Sequence, residues 1–106
     1  MICTRTPTGW TLVYQNAHAR LAADLLRPLR TGLRPARWDA LLYATALHDN
    51  GWQEWEPGEH RTPLGTPRPY DETTMADVVR QSERALRHVE HGSLFAALLV
   101  AEHFRS

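Results

Sequence analysis

Lysine does not occur in this sequence of 106 residues, and the sequence has no excess of basic over acidic residues. All twelve basic residues are arginine, and twelve acidic residues balance them, so the formal net charge is zero. A general nucleic-acid or membrane-surface binder would show a basic excess, so we expect neither partner. We attribute the arginine bias to genome composition rather than to function.

Cysteine and long apolar runs are also scarce. Cys3 is the single cysteine, so no disulfide can form within the chain. The first residues lack the apolar run of a signal peptide, and no stretch of about eighteen apolar residues provides a membrane span. We therefore expect one soluble domain, residues 1–106, in the reducing cytoplasm.

The patterns that are present predict a mainly α fold, a bundle of about four helices with a small N-terminal β-hairpin. Residues 1–14 hold two short β-prone segments around a Pro/Gly turn, which favours the hairpin. Apolar residues at steps of three and four predict the helices. These helices cover residues 16–27, 35–48, 74–89 and 94–104.

Helix ends carry recognisable signals. Asn16, Thr74 with Asp77, and Ser93 are expected N-caps, since their side-chain oxygens can accept free backbone amides. Gly51 is expected to end the second helix in the left-handed conformation. The last helix is apolar almost throughout, which predicts that it is buried and that the chain forms a homodimer or binds a companion chain.

The first helix has an apolar stripe. Leu21, Ala22, Leu25 and Leu29 follow His18 at steps of three and four, so His18 is predicted to lie on the inward face.

Residues 53–70 contain four prolines and two glycines, which excludes long regular elements and predicts a functional loop over the site. Trp52 and Trp55 stand at its start. Their rings can stack on a substrate's base or sugar, or they can pin the loop to the core.

Histidine and carboxylate side chains are expected to meet at one end of this bundle. His48 and Asp49 close the second helix, and His18 precedes His48 by thirty residues, which spans two antiparallel helices. His103 lies on the last helix and His91 at the break before it. Because imidazole and carboxylate are ligands of zinc, iron and manganese, these five residues predict a site for one or two divalent ions.

The same residues resemble the HD superfamily of metal-dependent phosphohydrolases. The resemblance lies in a histidine on the first helix, the His-Asp pair closing the second, and extra histidines like those of dinuclear members. It implies an HD-like fold and catalytic roles for His48 and Asp49, whose metal would activate water against a phosphorylated small molecule. Arg61 and Arg68 would then hold the phosphate. Some HD proteins are di-iron oxygenases, and that alternative stays open.

A second resemblance covers nearly the whole chain. The chain is similar to an uncharacterised bacterial family, a domain of unknown function with an HDxGW signature. The matching segments are Tyr14–Ala22, His48–Trp55, Gly65–Pro67 and Ala96–Phe104. Members of that family are usually longer, so this chain resembles their first half.

The HD pattern also ends in a further aspartate on a later helix. Here Asp77, Glu102 or a residue of a second chain would have to replace it. The alternative function is therefore a non-catalytic binding or assembly module that keeps the fold but has lost part of the site.

Structural explanations compete with each ligand assignment. His18 and His103 can be packed core residues, and His91 can be a local helix cap. His48 and Asp49 can form a buried polar cluster with each other and with Arg37 or loop amides.

Overall fold

The computed structural model describes residues 1–58 and 60–106. In this part of the chain a two-stranded antiparallel hairpin precedes four α-helices, so the predicted mainly α architecture is confirmed. The strands are β1 (Ile2–Thr6) and β2 (Gly9–Val13), paired so that Ile2 faces Val13. The helices are α1 (Gln15–Leu26), α2 (Trp38–Leu47), α3 (Met75–Glu90) and α4 (Leu94–Arg105).

The core lies where α2, α3 and α4 meet. Its fully buried members are small or β-branched, which lets the three helices approach closely. They are Ala44, Val89, Ala96 and Val100. The helix α1 packs against the other side of α2, so α2 is the central helix, as its apolar circumference predicts.

The N-caps of α3 and α4 follow the sequence signals. The Thr74 hydroxyl oxygen accepts the backbone amide of Asp77, and the Ser93 oxygen accepts that of Ala96. The Thr74 hydroxyl also donates to the Asp77 carboxylate at 2.8 Å. Both capping predictions are confirmed.

The predicted starts of α1 and α2 are wrong. The helix α1 begins at Gln15, and Asn16 lies inside its first turn, without a capping role. The free amide of Gln15 donates instead to the buried Glu56 carboxylate at 2.7 Å. The helix α2 begins at Trp38 rather than near Pro35, after Arg37 in the left-handed conformation with φ of 58°.

Gly51 is required for close packing, not for a left-handed cap. Its φ is not positive, and it lies in a 3₁₀ turn, Asn50–Glu54, that follows α2. A Cβ atom there would overlap the backbone carbonyl of Gln81 and lie 3.0 Å from the Ala85 nitrogen. The turn therefore packs directly on the backbone of α3.

Two predictions of burial also fail. On α1 the buried side chains are Gln15, Ala19 and Ala23, whereas His18 is exposed and Leu25 is 72% exposed. On α4 only Ala96 and Val100 are buried, and Leu94 is 74% exposed. Each helix has an apolar surface wider than the face that its neighbours cover.

Replacing Gly51 by alanine should lower the free energy of unfolding by at least about 2 kcal/mol, because the backbone of α3 cannot yield to the new methyl group. Gly32→Ala is the control, since a Cβ there meets nothing within 4 Å, and its φ is ordinary. Urea denaturation measures both. Equal, small changes in the two variants would contradict the close approach.

The two helix caps should differ in their pH dependence. The Thr74 hydroxyl lowers the pKa of Asp77 below the ordinary 3.8, with a smaller contribution from the Trp55 side chain. A lowered carboxyl pKa stabilises the fold above pH 3.8, and this contribution is lost as the pH falls through the folded-state pKa. Thr74→Ala should therefore cost about 1 kcal/mol at neutral pH and less in acid.

Ser93→Ala removes a cap that has no carboxylate partner, so its cost should not follow the Asp77 titration. Urea denaturation of both variants at neutral and acidic pH makes the comparison. A Thr74→Ala cost that stays constant with pH would refute this account of the cap.

Candidate metal centre

The side chains of His18, His48 and Asp49 converge beyond the C-terminal end of α2. One ligand atom of each lies within 4.8 Å of the other two. His18 reaches the site from the first turns of α1, and the two imidazole rings are 6.4 Å apart, edge to face. The antiparallel packing of α1 and α2 thus brings together residues thirty positions apart.

His48 is held in one orientation by both ring nitrogens. Its Nδ1 lies 2.8 Å from the backbone carbonyl oxygen of Thr45, and its Nε2 lies 3.3 Å from Asp49 Oδ2. Donation from Nδ1 to the carbonyl leaves Nε2 as the nitrogen that faces the site. Metal-ligating histidines are commonly oriented by such a second bond.

The hydrogen bond to the Asp49 carboxylate raises the pKa of His48 above its ordinary value, although burial of the ring opposes this. A metal ion at Nε2 would therefore have to displace a proton that this carboxylate helps to retain.

Asp49 is a buried carboxylate with weak compensation. It is 7% exposed, and besides His48 the Gln15 side-chain nitrogen lies near it, at 3.5 Å. Arg37, a partner suggested by the sequence, instead lies over the Phe95 ring at 4.3 Å. A buried carboxylate is costly unless a cation or strong donors offset the lost hydration, so this environment suits a cation.

The spacing of the donors fits a metal ion. Zinc binds nitrogen and oxygen at about 2.0–2.2 Å, so neighbouring ligands of a tetrahedral site lie about 3.3–3.6 Å apart. The separation of 3.3 Å between His48 Nε2 and Asp49 Oδ2 corresponds to one such edge. His18 is exposed, so a small rotation of its side chain can close the remaining distance.

His103 on α4 is a neighbour of this group. Its ring centre is 4.8 Å from that of His48, at an angle of 78°. His103 is exposed, which distinguishes it from a packed core histidine. His91 is the C-cap residue of α3 and exposed, and it does not belong to the group of three ligands.

A cleft of about 480 Å³ opens beside the group. Its walls combine the three ligands and His103 with aromatic, apolar and amide side chains. The remaining lining residues are Gln15, Trp52, Tyr70, Asp71, Thr73, Met75, Val78, Gln81 and Phe104. A narrower groove of about 310 Å³ between α2 and α4, lined chiefly by apolar side chains, also reaches His48 and His103.

The residues predicted to contact a substrate are divided between two places. Trp52 is buried in the wall of the cleft. Trp55 packs edge to face on Trp52, with ring centres 5.4 Å apart, and stacks on His60. Arg61 lines a separate depression beside the hairpin, and Arg68 donates to the Arg61 carbonyl oxygen.

The residues considered as a replacement for the missing HD aspartate have other partners. Asp77 bonds the N-cap residue Thr74 in the first turn of α3, and Glu102 forms an exposed ion pair with Arg105 at 2.6 Å. Asp71, which follows the Pro-rich loop, does line the cleft. The sequence gives no signal for Asp71, because its position depends on where the loop returns.

Gln15 is another cleft residue that the sequence did not assign to the site. It precedes His18 by three positions on α1, so helical periodicity alone places both on neighbouring faces. A signal was available in the sequence, because Gln15 lies at helical spacing from Ala19 and Ala23 and so could share their buried face.

None of the described helices is long and apolar enough to cross a bilayer.

Comparison with known proteins gives the family but no activity. A family described as protein of unknown function (DUF3891) matches residues 1–106. The chain belongs to this family. Searches of curated proteins and of solved structures returned no match.

The match agrees with the predicted resemblance to a domain of unknown function, while the comparisons give no support for the HD superfamily.

Proposed function

We propose that this DUF3891 protein binds a divalent metal ion through His18, His48 and Asp49. The observation that carries the proposal is the convergence of these ligand atoms within 4.8 Å around a buried carboxylate. The polar partners that the structure shows for Asp49 are His48 and Gln15, and a metal ion would add the positive charge that keeps a carboxylate stable out of water.

The donor set limits the choice of metal. Two imidazoles and one carboxylate are found in catalytic zinc sites, which keep a position open, and in non-haem iron sites. The part of the chain that the structure describes contains one such group of three, which supports one ion rather than the two of a di-iron oxygenase. Zinc, manganese and iron are therefore the candidates to test.

The adjoining cleft supports a hydrolytic role. A bound ion would act as a Lewis acid and lower the pKa of a water molecule at its open position. The volume of about 480 Å³ is within the usual range for a small-molecule site. The predicted HD resemblance of His18 and the His48-Asp49 pair, for which the comparisons give no support, only adds hydrolysis to the reactions worth testing.

The cleft gives less support to a phosphorylated substrate. No arginine is among the described residues that line it, and Arg61 and Arg68 lie elsewhere. The aromatic rings and amides of the walls better suit a substrate of low negative charge. We therefore propose hydrolysis of a neutral small molecule, with phosphoesters as the comparison.

A non-catalytic assembly module is the second candidate. Exposed leucines support it, since Leu21 and Leu25 lie one turn apart on α1, and Leu94 and Leu98 do so on α4. Such surface is often covered by a partner, here a homodimer or a companion chain.

The reconstituted protein should hold about one ion per chain, because three ligands with an open position form one catalytic-type site. Asp49→Asn should abolish stoichiometric binding at micromolar protein. It should leave the metal-free protein at least as stable, because it removes a buried charge. Elemental analysis and thermal melts measure the two effects.

His91→Ala is the matched control, since it removes an imidazole outside the group. It should retain the metal, whereas His18→Ala and His48→Ala should lose it. A wild-type protein without stoichiometric metal after reconstitution with zinc, manganese or iron would reject the proposal.

A measurement of catalytic turnover distinguishes the hydrolase hypothesis from the assembly-module hypothesis. We expect the metal-loaded protein to hydrolyse neutral esters or amides faster than phosphomonoesters, and Asp49→Asn to be inactive. Chromogenic substrate panels with each metal test this, and light scattering measures the size of the same samples. Metal binding with self-association but no turnover on any panel would support the assembly module instead.

A further inference from the structure

Gln15 is the most unusual polar side chain near the proposed metal centre. It is the first residue of α1 and only 5% exposed, although it lines the cleft. Its backbone amide is fixed by a 2.7 Å hydrogen bond to Glu56, which itself lies 3.1 Å from the amino group of Met1. The position of this glutamine is therefore anchored independently of its side chain.

The side-chain amide is poorly satisfied by the protein. Its Nε2 lies 3.5 Å from Asp49 Oδ2, which is long for an N–H···O hydrogen bond. Its Oε1 has less than 1 Å² of accessible surface and no hydrogen-bond partner among the described residues. A buried acceptor without a partner is energetically costly, so we expect this amide to have a ligand that the protein itself does not supply.

Water does not meet this need from the cleft. A hydrogen-bonding water would approach Oε1 to about 2.8 Å, and the oxygen would then show accessible surface. A dehydrated metal ion approaches an oxygen ligand much more closely, at about 2.0–2.6 Å. In the orientation shown it is Nε2 that lies beside Asp49, so ligation by the oxygen requires the amide to turn over.

The amide can also rotate. A half-turn about the Cγ–Cδ bond exchanges Oε1 and Nε2, which have nearly the same shape. The exchange would place the amide oxygen about 3.5 Å from Asp49 Oδ2. Two oxygens at this distance repel each other without a cation, whereas neighbouring ligands of one ion are spaced about 3.0–3.6 Å apart.

We propose that the Gln15 side-chain oxygen is a fourth ligand of the metal ion held by His18, His48 and Asp49. This inference rests on the proposed metal centre. It gives the centre two nitrogen and two oxygen donors, so an open position for water requires an ion that takes five or six ligands. Manganese and iron do so, whereas four protein ligands would fill a tetrahedral zinc site.

The test compares three variants of the full chain. Gln15→Met keeps the length of the side chain but removes the oxygen, and Gln15→Glu keeps an oxygen and adds charge. Gln53→Met is the control, because Gln53 is an exposed glutamine that does not line the cleft. Manganese titration gives the dissociation constant, and the visible absorption of the cobalt-substituted protein reports the ligand set.

Gln15→Met should weaken manganese binding at least about tenfold and change the cobalt spectrum. Gln15→Glu should restore or exceed wild-type affinity, and Gln53→Met should match the wild type in both measurements. Metal-free melting temperatures identify any variant that fails to fold, and Gln15→Glu then provides the comparison.

The two levels of the proposal fail differently. If the wild-type protein binds neither manganese nor cobalt, the metal centre itself is rejected. If the wild type binds metal while Gln15→Met keeps the same affinity and cobalt spectrum, Gln15 is not a ligand. An affinity loss in Gln15→Met without a spectral change, and without rescue by Gln15→Glu, would also overturn the inference.

Discussion

The contact between Gly51 and the backbone of α3 is the constraint on which the site depends. Because residue 51 has no side chain, the 3₁₀ turn after α2 packs against the Gln81 carbonyl. This contact fixes the direction in which the chain leaves α2. It thereby buries Trp52 and Asp49 on either side of the glycine and points His48 towards α1.

A second long-range interaction holds the other half of the site. The buried Glu56 carboxylate accepts the first amide of α1 and pairs with the amino group of Met1, so it joins the turn, the hairpin and α1. Negative charge at a helix N-terminus also interacts favourably with the helix dipole. The candidate ligands His18 and Asp49 thus each belong to an element that a backbone contact holds in place, as preorganised sites require.

The two cavities give the imidazoles an unusual place in the molecule. His48 and His103 border both the polar cleft and the apolar groove between α2 and α4. A ligand bound in the cleft would therefore contact imidazole rings whose opposite faces border the apolar groove. Low local polarity strengthens electrostatic interactions, so it would help the proposed metal ion to bind and polarise a neutral molecule.

Local signals in the sequence determined much of this protein. The four helices, the hairpin, and the caps at Thr74 and Ser93 follow from contacts within a few residues, and the convergence of His18 with His48 and Asp49 follows from two antiparallel helices. Only the tertiary structure decided that Glu56 caps α1 across 41 positions, that Arg37 lies on Phe95, and that α4 leaves leucines exposed. The proposed role of Gln15 also depends on the tertiary structure. Its burial, and the lack of a hydrogen-bond partner for its Oε1 among the described residues, are determined by residues distant in the chain. Hydrophobic periodicity determines which face of a helix can be buried, but the neighbouring elements determine how much of that face they cover.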